Sequence, residues 1–413
     1  MKHTSMPRRV GGAFSLVVVA LVALHVSTPA VQAKGNPFVG ASGKTLVVSG
    51  HPWRFVGFND YQLTSMPNGA YFCGRPTGND TLDSVLEDAK RSGATAIRTW
   101  FFQSFYDLDA RGAPARATWN AFDRVLNRAT AYGLKVVPVL MNEWQDCEPS
   151  AADKGLAFYQ GGFMQAGTWG YPLSFMDYAT TVARHYAKRA SIAFWQIGNE
   201  VEAHPSSSCD PPTESVAAQA LRGFADTMTA AITRADPNHL VSLGTIGGGQ
   251  CGLSGTDYQY VNAGRVGICD YHDYGSPTQA MPDDGYNRLA QRIAQCGLLD
   301  KPIVVTESGI PADVGPTGLE VGSVTAATLQ SRAAFFRAKM TAAFSSGVSG
   351  YILWEKEQDA SNSSENAVDH GLYEIGPNSL DYDPTNGVSA AAATGLGASR
   401  HRASTATPAS ARP

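Results

Sequence analysis

Short apolar runs closed by polar residues alternate along this chain with amphipathic stretches. The run at 192–200 sets the pattern: Ile192-Ala193-Phe194-Trp195-Gln196-Ile197 leads into Gly198-Asn199-Glu200. Such a run is too short for a globular helix. It reads as a buried parallel strand that delivers polar side chains at its C-terminal end. The run at 302–307 repeats the pattern and closes on Glu307. Further strands are predicted at 95–100, 135–141, 240–244, 266–274 and 349–354. Near the N-terminus, 45–48 and 53–56 predict a β-hairpin around a Gly turn. Its second strand continues through Gly57-Phe58-Asn59 as the first strand of the repeating series. Between the strands fall helices. Asp80 can cap one beginning at Thr81, with Leu82, Val85, Leu86 and Ala89 on its buried face and Gly93 as its stop. Similar patterns predict helices over 118–132, 174–188, 214–234, 286–295 and 327–344. The long stretch from 142 to 171, rich in Gly and aromatic residues, is a candidate wall for a cleft.

About eight alternations of strand and helix predict an α/β fold, a single (β/α)₈ barrel preceded by the short hairpin. An open doubly wound sheet also alternates, but it would place a Gly-rich phosphate loop after an early strand. One G-x-G-x-x-G match exists, at Gly247, Gly249 and Gly252. It contains Cys251 and precedes no clear helix, so it reads as a loop by chance. The barrel domain is expected over 34–394. Ahead of it, Lys2, Arg8 and Arg9, an apolar heart at 16–24 and Val31-Gln32-Ala33 make 1–33 a secretory signal peptide. Behind it, 395–413 is too rich in Ala, Ser, Thr, Pro and Arg to pack and reads as a disordered tail.

The six cysteines, an even number in a chain expected outside the cell, favour disulfides over thiols or metal ligands. Neighbouring loops predict the pairs Cys73–Cys147, Cys209–Cys251 and Cys269–Cys296. A net charge of −4, with 16% charged residues, leaves no basic field for nucleic acid. No stretch beyond the signal is long and apolar enough for a membrane span. The mature chain is expected to be a secreted monomer that needs no cofactor and no metal.

The strand ends supply the chemistry. In a (β/α)₈ barrel, catalytic side chains sit at the C-terminal ends of the strands. Those ends carry Asn59, Arg98, Asn142, Trp144, Asn199, Glu200, His272, Tyr274, Glu307 and Trp354. Two glutamates among amides, an imidazole, a phenol and an indole suit glycosidic cleavage. One carboxyl group protonates the leaving oxygen, and the other attacks the anomeric carbon or directs water to it. Trp144 and Trp169 are possible sugar platforms. Glu143, Glu202, Glu355 and Glu357 are rival carboxylates near strand ends. No G-x-S-x-G elbow supports a serine esterase.

The set Ile197-Gly198-Asn199-Glu200, Tyr271-His272-Asp273-Tyr274, Val305-Thr306-Glu307 and Leu353-Trp354 resembles glycoside hydrolase family 5. Gly57-Phe58-Asn59 and Ile97-Arg98-Thr99-Trp100 resemble the first two strands of its endo-β-1,4-mannanase branch. The likeness spans about 55–354. It implies Glu200 as acid/base and Glu307 as nucleophile. It also implies that Asn199 holds the 2-hydroxyl, Tyr274 orients Glu307, His272 tunes Glu200, Arg98 supports Glu307 and Trp354 floors the −1 subsite. Asn142 stands where many family cellulases carry a His, which leans the resemblance toward mannanases. The expected substrate is mannan or glucomannan, with β-glucan or cellulose as the alternative and a non-catalytic polysaccharide-binding barrel as a further one.

Overall fold

The computed structural model describes residues 35–64, 79–356 and 375, apart from 107, 110–111, 113, 145–146, 150–153, 206–208, 210–212, 284–287 and 313–327. The expected signal peptide, tail and Glu357 lie outside the described residues. Three short antiparallel strands come first, β1 (Val39–Ser42), β2 (Thr45–Val48) and β3 (His51–Pro52). The expected hairpin is therefore a three-stranded ribbon. Its middle strand pairs with an upstream strand that the pattern did not mark, and the third stops at Pro52 before the chain enters the barrel. Pro cannot donate to a ladder, which suits the end of this pairing.

Eight parallel strands follow, β4 (Phe55–Asn59), β5 (Ala96–Trp100), β6 (Lys135–Val139), β7 (Trp195–Gln196), β8 (Val241–Ser242), β9 (Cys269–Asp273), β10 (Ile303–Ser308) and β11 (Gly350–Leu353). Their spatial order is β8-β7-β6-β5-β4-β11-β10-β9. A parallel bridge between Ser242 and Ile268 joins the two outer strands, which brings the sheet round into a barrel. Alternation sorts the side chains. Phe55, Ala96, Val137, Val304 and Ile352 form an inner cluster, which Val39 and Leu46 of the ribbon help to cover. Val56, Ile97, Val136, Val305 and Leu353 belong to the larger core shared with the helices. Gly350 faces the Phe55 ring so closely that a Cβ there would lie 2.2 Å from it.

One break in the alternation matters for the site. The register of β10 against β9 shifts between Val305 and Glu307. Strict alternation would put Glu307 on the side of Val305, toward the helices. The irregularity lets it turn into the barrel mouth instead, as bulges beside active sites do.

The helices are α1 (Asn79–Arg91), α2 (Arg116–Tyr132), α3 (Leu156–Tyr159), α4 (Phe175–Tyr186), α5 (Thr213–Ala235), α6 (Asp257–Asn262), α7 (Leu289–Leu298) and α8 (Leu329–Ser345). Capping explains several ends. Ser174 accepts a hydrogen bond from the Asp177 N–H at the start of α4, and Gly133 closes α2 at φ 75°. The stretch expected to wall a cleft is largely packing. Phe158, Tyr159 and Phe163 are buried and their rings meet Phe224 of α5. Aromatic area of that size is stabilising only where it leaves water.

Cys209–Cys251 and Cys269–Cys296 are bonded as expected, with Cα separations of 5.4 and 6.5 Å. Cys73, the expected partner of Cys147, lies outside the described residues. Among the described residues no helix is long and apolar enough to cross a membrane.

Candidate active site

Arg98 on β5 is the hub of the barrel mouth and is fully buried. A buried guanidinium is costly unless its donors are met. Nη1 donates to Glu307 Oε1 at 2.6 Å and to Asn59 Oδ1 at 2.8 Å. Nη2 donates to Asn199 Oδ1 at 2.7 Å, and Nε donates to Gln196 Oε1 at 2.6 Å. One planar fork thus fixes side chains from β4, β7 and β10 at once. The guanidinium also lies 4.7 Å from the centre of the Trp100 ring. Gln196 passes the order on, donating to Asp270 Oδ1 at 2.9 Å, while the Gly244 N–H donates to Asp270 Oδ2 at 2.6 Å. Burial pushes Asp270 up to about 6, against those two donors.

Glu307 is 3% exposed. Besides Arg98 it receives the Tyr274 hydroxyl on Oε2 at 2.8 Å. Although the residue is 38% exposed, burial of its hydroxyl end first, and then the Glu307 charge, hold that phenol well above its ordinary range, so it stays a donor. Glu200 stands opposite, at the end of β7, in a different environment. Oε1 faces His272 Nδ1 at 2.7 Å, and Oε2 accepts the Trp144 indole N–H at 2.7 Å. Burial raises the Glu200 pKa, and the Trp144 bond and the Arg98 charge only partly oppose it. His272 is buried, and burial lowers it to about 4, so the ring is neutral at ordinary pH. Its Nδ1 also lies 3.4 Å from Glu307 Oε2. An atom facing two carboxylates is the one that carries the ring's N–H. An oxygen of Glu200 and an oxygen of Glu307 lie within 4.8 Å of each other.

The remaining expected site residues fall into two groups. Asn59 is fully buried and its amide donates to the Thr306 and Leu353 carbonyls at 3.1 and 3.4 Å. Asn199 is 7% exposed and donates to Asn142 Oδ1 at 3.1 Å, so these three amides form one chain with Arg98. Trp354 ends the β11 side of the mouth, 8% exposed, with its ring stacked 6.0 Å from Tyr61 and tilted against Trp100. Trp144 reaches the carboxylate edge, whereas Trp169 packs edge-on to Phe158. Two of the rival carboxylates are tied up elsewhere, whereas Glu355 is fully buried and near enough to the Tyr274 phenol for its charge to help raise that group's pKa. Glu143 is buried and accepts the Tyr159 hydroxyl, and Glu202 accepts the Cys251 N–H at 3.0 Å. Burial raises the Glu143 pKa well above the carboxylate range.

Four residues that organise this site escaped the sequence reading: Gln196, Asp270, Trp100 and Tyr61. Gln196 had a signal, since it is a polar residue inside an otherwise apolar run, whereas Asp270 shares its strand with His272 and Asp273 and does not stand out. Among the described residues two groups have the chemistry of metal ligands, Glu200 with His272 and Glu307, and His204 with Cys209 and Cys251. In the first, the His272 nitrogen facing the carboxylates is a donor and Arg98 already meets Glu307. In the second, the sulfurs are bonded to each other.

Comparison with known proteins gives the family and the fold. A probable mannan endo-1,4-beta-mannosidase A of Aspergillus oryzae is 24% identical over 320 residues, covering 69% of this chain and 75% of that protein. Mannan endo-1,4-beta-mannosidase A of Aspergillus aculeatus is 24% identical over 337 residues, covering 72% and 82%. The solved endo-1,4-beta-mannanase of Rhizomucor miehei superposes with a TM-score of 0.60 at 18% identity, covering 87% of this chain and 99% of that one, which is a likeness of fold. The family model for cellulase, glycosyl hydrolase family 5, matches residues 54–342. The chain belongs to glycosyl hydrolase family 5.

Proposed function

We propose that the chain is a secreted, retaining endo-β-glycosidase acting on β-1,4-mannan or glucomannan, with Glu307 as nucleophile and Glu200 as acid/base. One observation carries the mechanism. Two carboxylates whose oxygens approach within 4.8 Å face each other in unlike surroundings. That closeness suits direct attack on the sugar, because inverting enzymes keep their carboxyl groups roughly 6.5–9.5 Å apart to admit water. Glu307 is aimed by two donors, the Arg98 guanidinium and the Tyr274 hydroxyl. Glu200, raised by burial, is the group suited to hold a proton.

The steps follow from that division. Glu307 attacks the anomeric carbon as Glu200 gives its proton to the departing glycosidic oxygen. A covalent glycosyl-enzyme results. Glu200, now an anion steadied by His272 and Trp144, takes a proton from water, which displaces Glu307 and restores both groups. Trp354 sets the apolar floor beneath the reacting ring, and Asn199, pinned by Arg98 and Asn142, meets its 2-hydroxyl. Asn59 and Asn142 act through Arg98 and Asn199.

The choice of mannan rests on the names of the relatives and on Asn142 in place of His; the description of the family as cellulase keeps β-glucan as the second reading. Export through cleavage of residues 1–33 is supported by the two disulfides. Release of reducing ends from mannan, glucomannan, xylan, cellulose and mixed-linkage glucan tests the substrate. Release from mannan or glucomannan above all others is expected. Release from cellulose or mixed-linkage glucan alone overturns it.

A further inference from the structure

We propose that Gln250, braced by the Cys209–Cys251 disulfide, is a positioning residue that holds Glu200 in the backbone conformation from which its carboxyl reaches the cleft. The inference rests on the acid/base reading of Glu200. Glu200 has φ 56°, in the left-handed region that favours glycine. A non-glycine residue there is strained and persists only where its surroundings fix it. The surroundings are specific. The segment is held on one side by the loop after β6, where the Glu143 N–H donates to the Asn199 carbonyl at 3.0 Å. On the other side stands the loop at 244–251. There the Val201 N–H donates to the Gly244 carbonyl at 3.1 Å, and Gly244 itself has φ 88° and no room for a Cβ.

Gln250 closes this arrangement from within. It is 2% exposed, and its amide is used at both ends. Nε2 donates to the Glu200 carbonyl at 2.9 Å and to the Val201 carbonyl at 3.3 Å, while Oε1 accepts the Ile246 N–H at 2.8 Å. With two carbonyls on one side and an N–H on the other, the amide has only one satisfactory orientation. It therefore ties the peptide that follows Glu200 directly to the loop after β8. The next residue, Cys251, donates its N–H to Glu202 and bonds through sulfur to Cys209. Both ends of the 200–209 segment are thus fastened to 250–251. If Gln250 is lost, the peptide can turn back to ordinary φ, which would swing the Glu200 side chain away from His272 and Trp144.

The fingerprint of a displaced acid/base differs from that of a weakened fold. Gln250→Met keeps the volume and removes the amide. It should be assayed on mannan and on a 2,4-dinitrophenyl β-mannobioside, beside the wild type and Glu200→Ala, with melting temperatures. The expected result is a loss of kcat/KM of about tenfold to a hundredfold on mannan, where protonation of the leaving oxygen is needed. On the dinitrophenyl substrate, whose leaving group needs no proton, kcat/KM should stay within about threefold. Added azide should raise its kcat. An equal loss on both substrates, or no loss, overturns the proposal. If Gln250→Met does not fold, Cys209→Ser/Cys251→Ser loosens the same loop from its other end and should give the same imbalance; an even loss there overturns it. A fully active Glu200→Ala would instead overturn the acid/base reading. An active wild type, a crippled Glu200→Ala and an even-handed Gln250→Met would overturn this proposal alone.

Discussion

The ends of β7 and β10 carry the same side chain and treat it differently. Glu307 lies within a six-residue strand that pairs on both sides, and it is reached by the Arg98 cation. Glu200 lies four positions past a strand paired only at Trp195–Gln196, on a left-handed peptide, and its carboxylate oxygens face neutral donors. Its side chain is 17% exposed against 4% for Glu307. The comparison teaches that burial alone does not assign a role. One carboxylate is met by a cation, while burial beside a neutral imidazole favours a proton on the other, Glu200.

Substitutions can break this contrast in graded steps. Glu307→Ala should have the largest effect, a loss of roughly 10⁵-fold or more in kcat on every substrate, because no covalent intermediate can form. Glu200→Ala should lose about 10²–10⁴-fold on polysaccharide, keep glycosylation of substrates with good leaving groups, and recover turnover with azide. Arg98→Lys keeps a charge but cannot reach four acceptors from one plane. It should cost on the order of 10²-fold in kcat, with a lower melting temperature, since Asn59, Asn199 and Gln196 lose a shared donor.

The smallest expected effect sharpens the contrast instead of breaking it. The proposed mechanism needs Glu200 protonated, so activity should fall as pH rises through its pKa. Burial raises that pKa, which extends activity toward higher pH than an ordinary carboxyl would allow. The Trp144 hydrogen bond works against this by favouring the anion. Trp144→Phe removes the bond and should move the alkaline limb of the kcat/KM profile further upward, with modest loss in rate. A limb that moves downward, or stays in place, would separate Trp144 from Glu200.

Much of this was legible from the chain. Runs such as 95–100 and 135–141 are apolar, short and bounded, and they became β5 and β6 because a parallel strand is covered on both faces. The residues around Arg98 were legible as polar strand ends. Their order around it was not, because a guanidinium's partners depend on which strands lie opposite one another. The run at 192–200 reads as one strand, yet the ladder is confined to Trp195–Gln196, with isolated bridges at Ile192 and Asn199. Nothing in the spacing of Val305 and Glu307 marks the register shift that turns Glu307 inward. Gln250 was hidden for another reason. It sits in the Gly247–Gly252 loop, where glycine spacing resembles a phosphate motif and the informative residue is the amide between the glycines. Trp144 looked like a platform for sugar because an indole's face is more common in that use than its N–H.

The division of labour between the two glutamates is tested most directly by trapping the intermediate. The enzyme is incubated with a 2-deoxy-2-fluoro-β-mannosyl fluoride, digested, and the labelled peptide located by mass spectrometry. One added sugar per chain is expected, in ester linkage to Glu307. A label on Glu200 would exchange the two roles, and an active enzyme that carries no label while releasing the α-anomer would contradict the covalent mechanism.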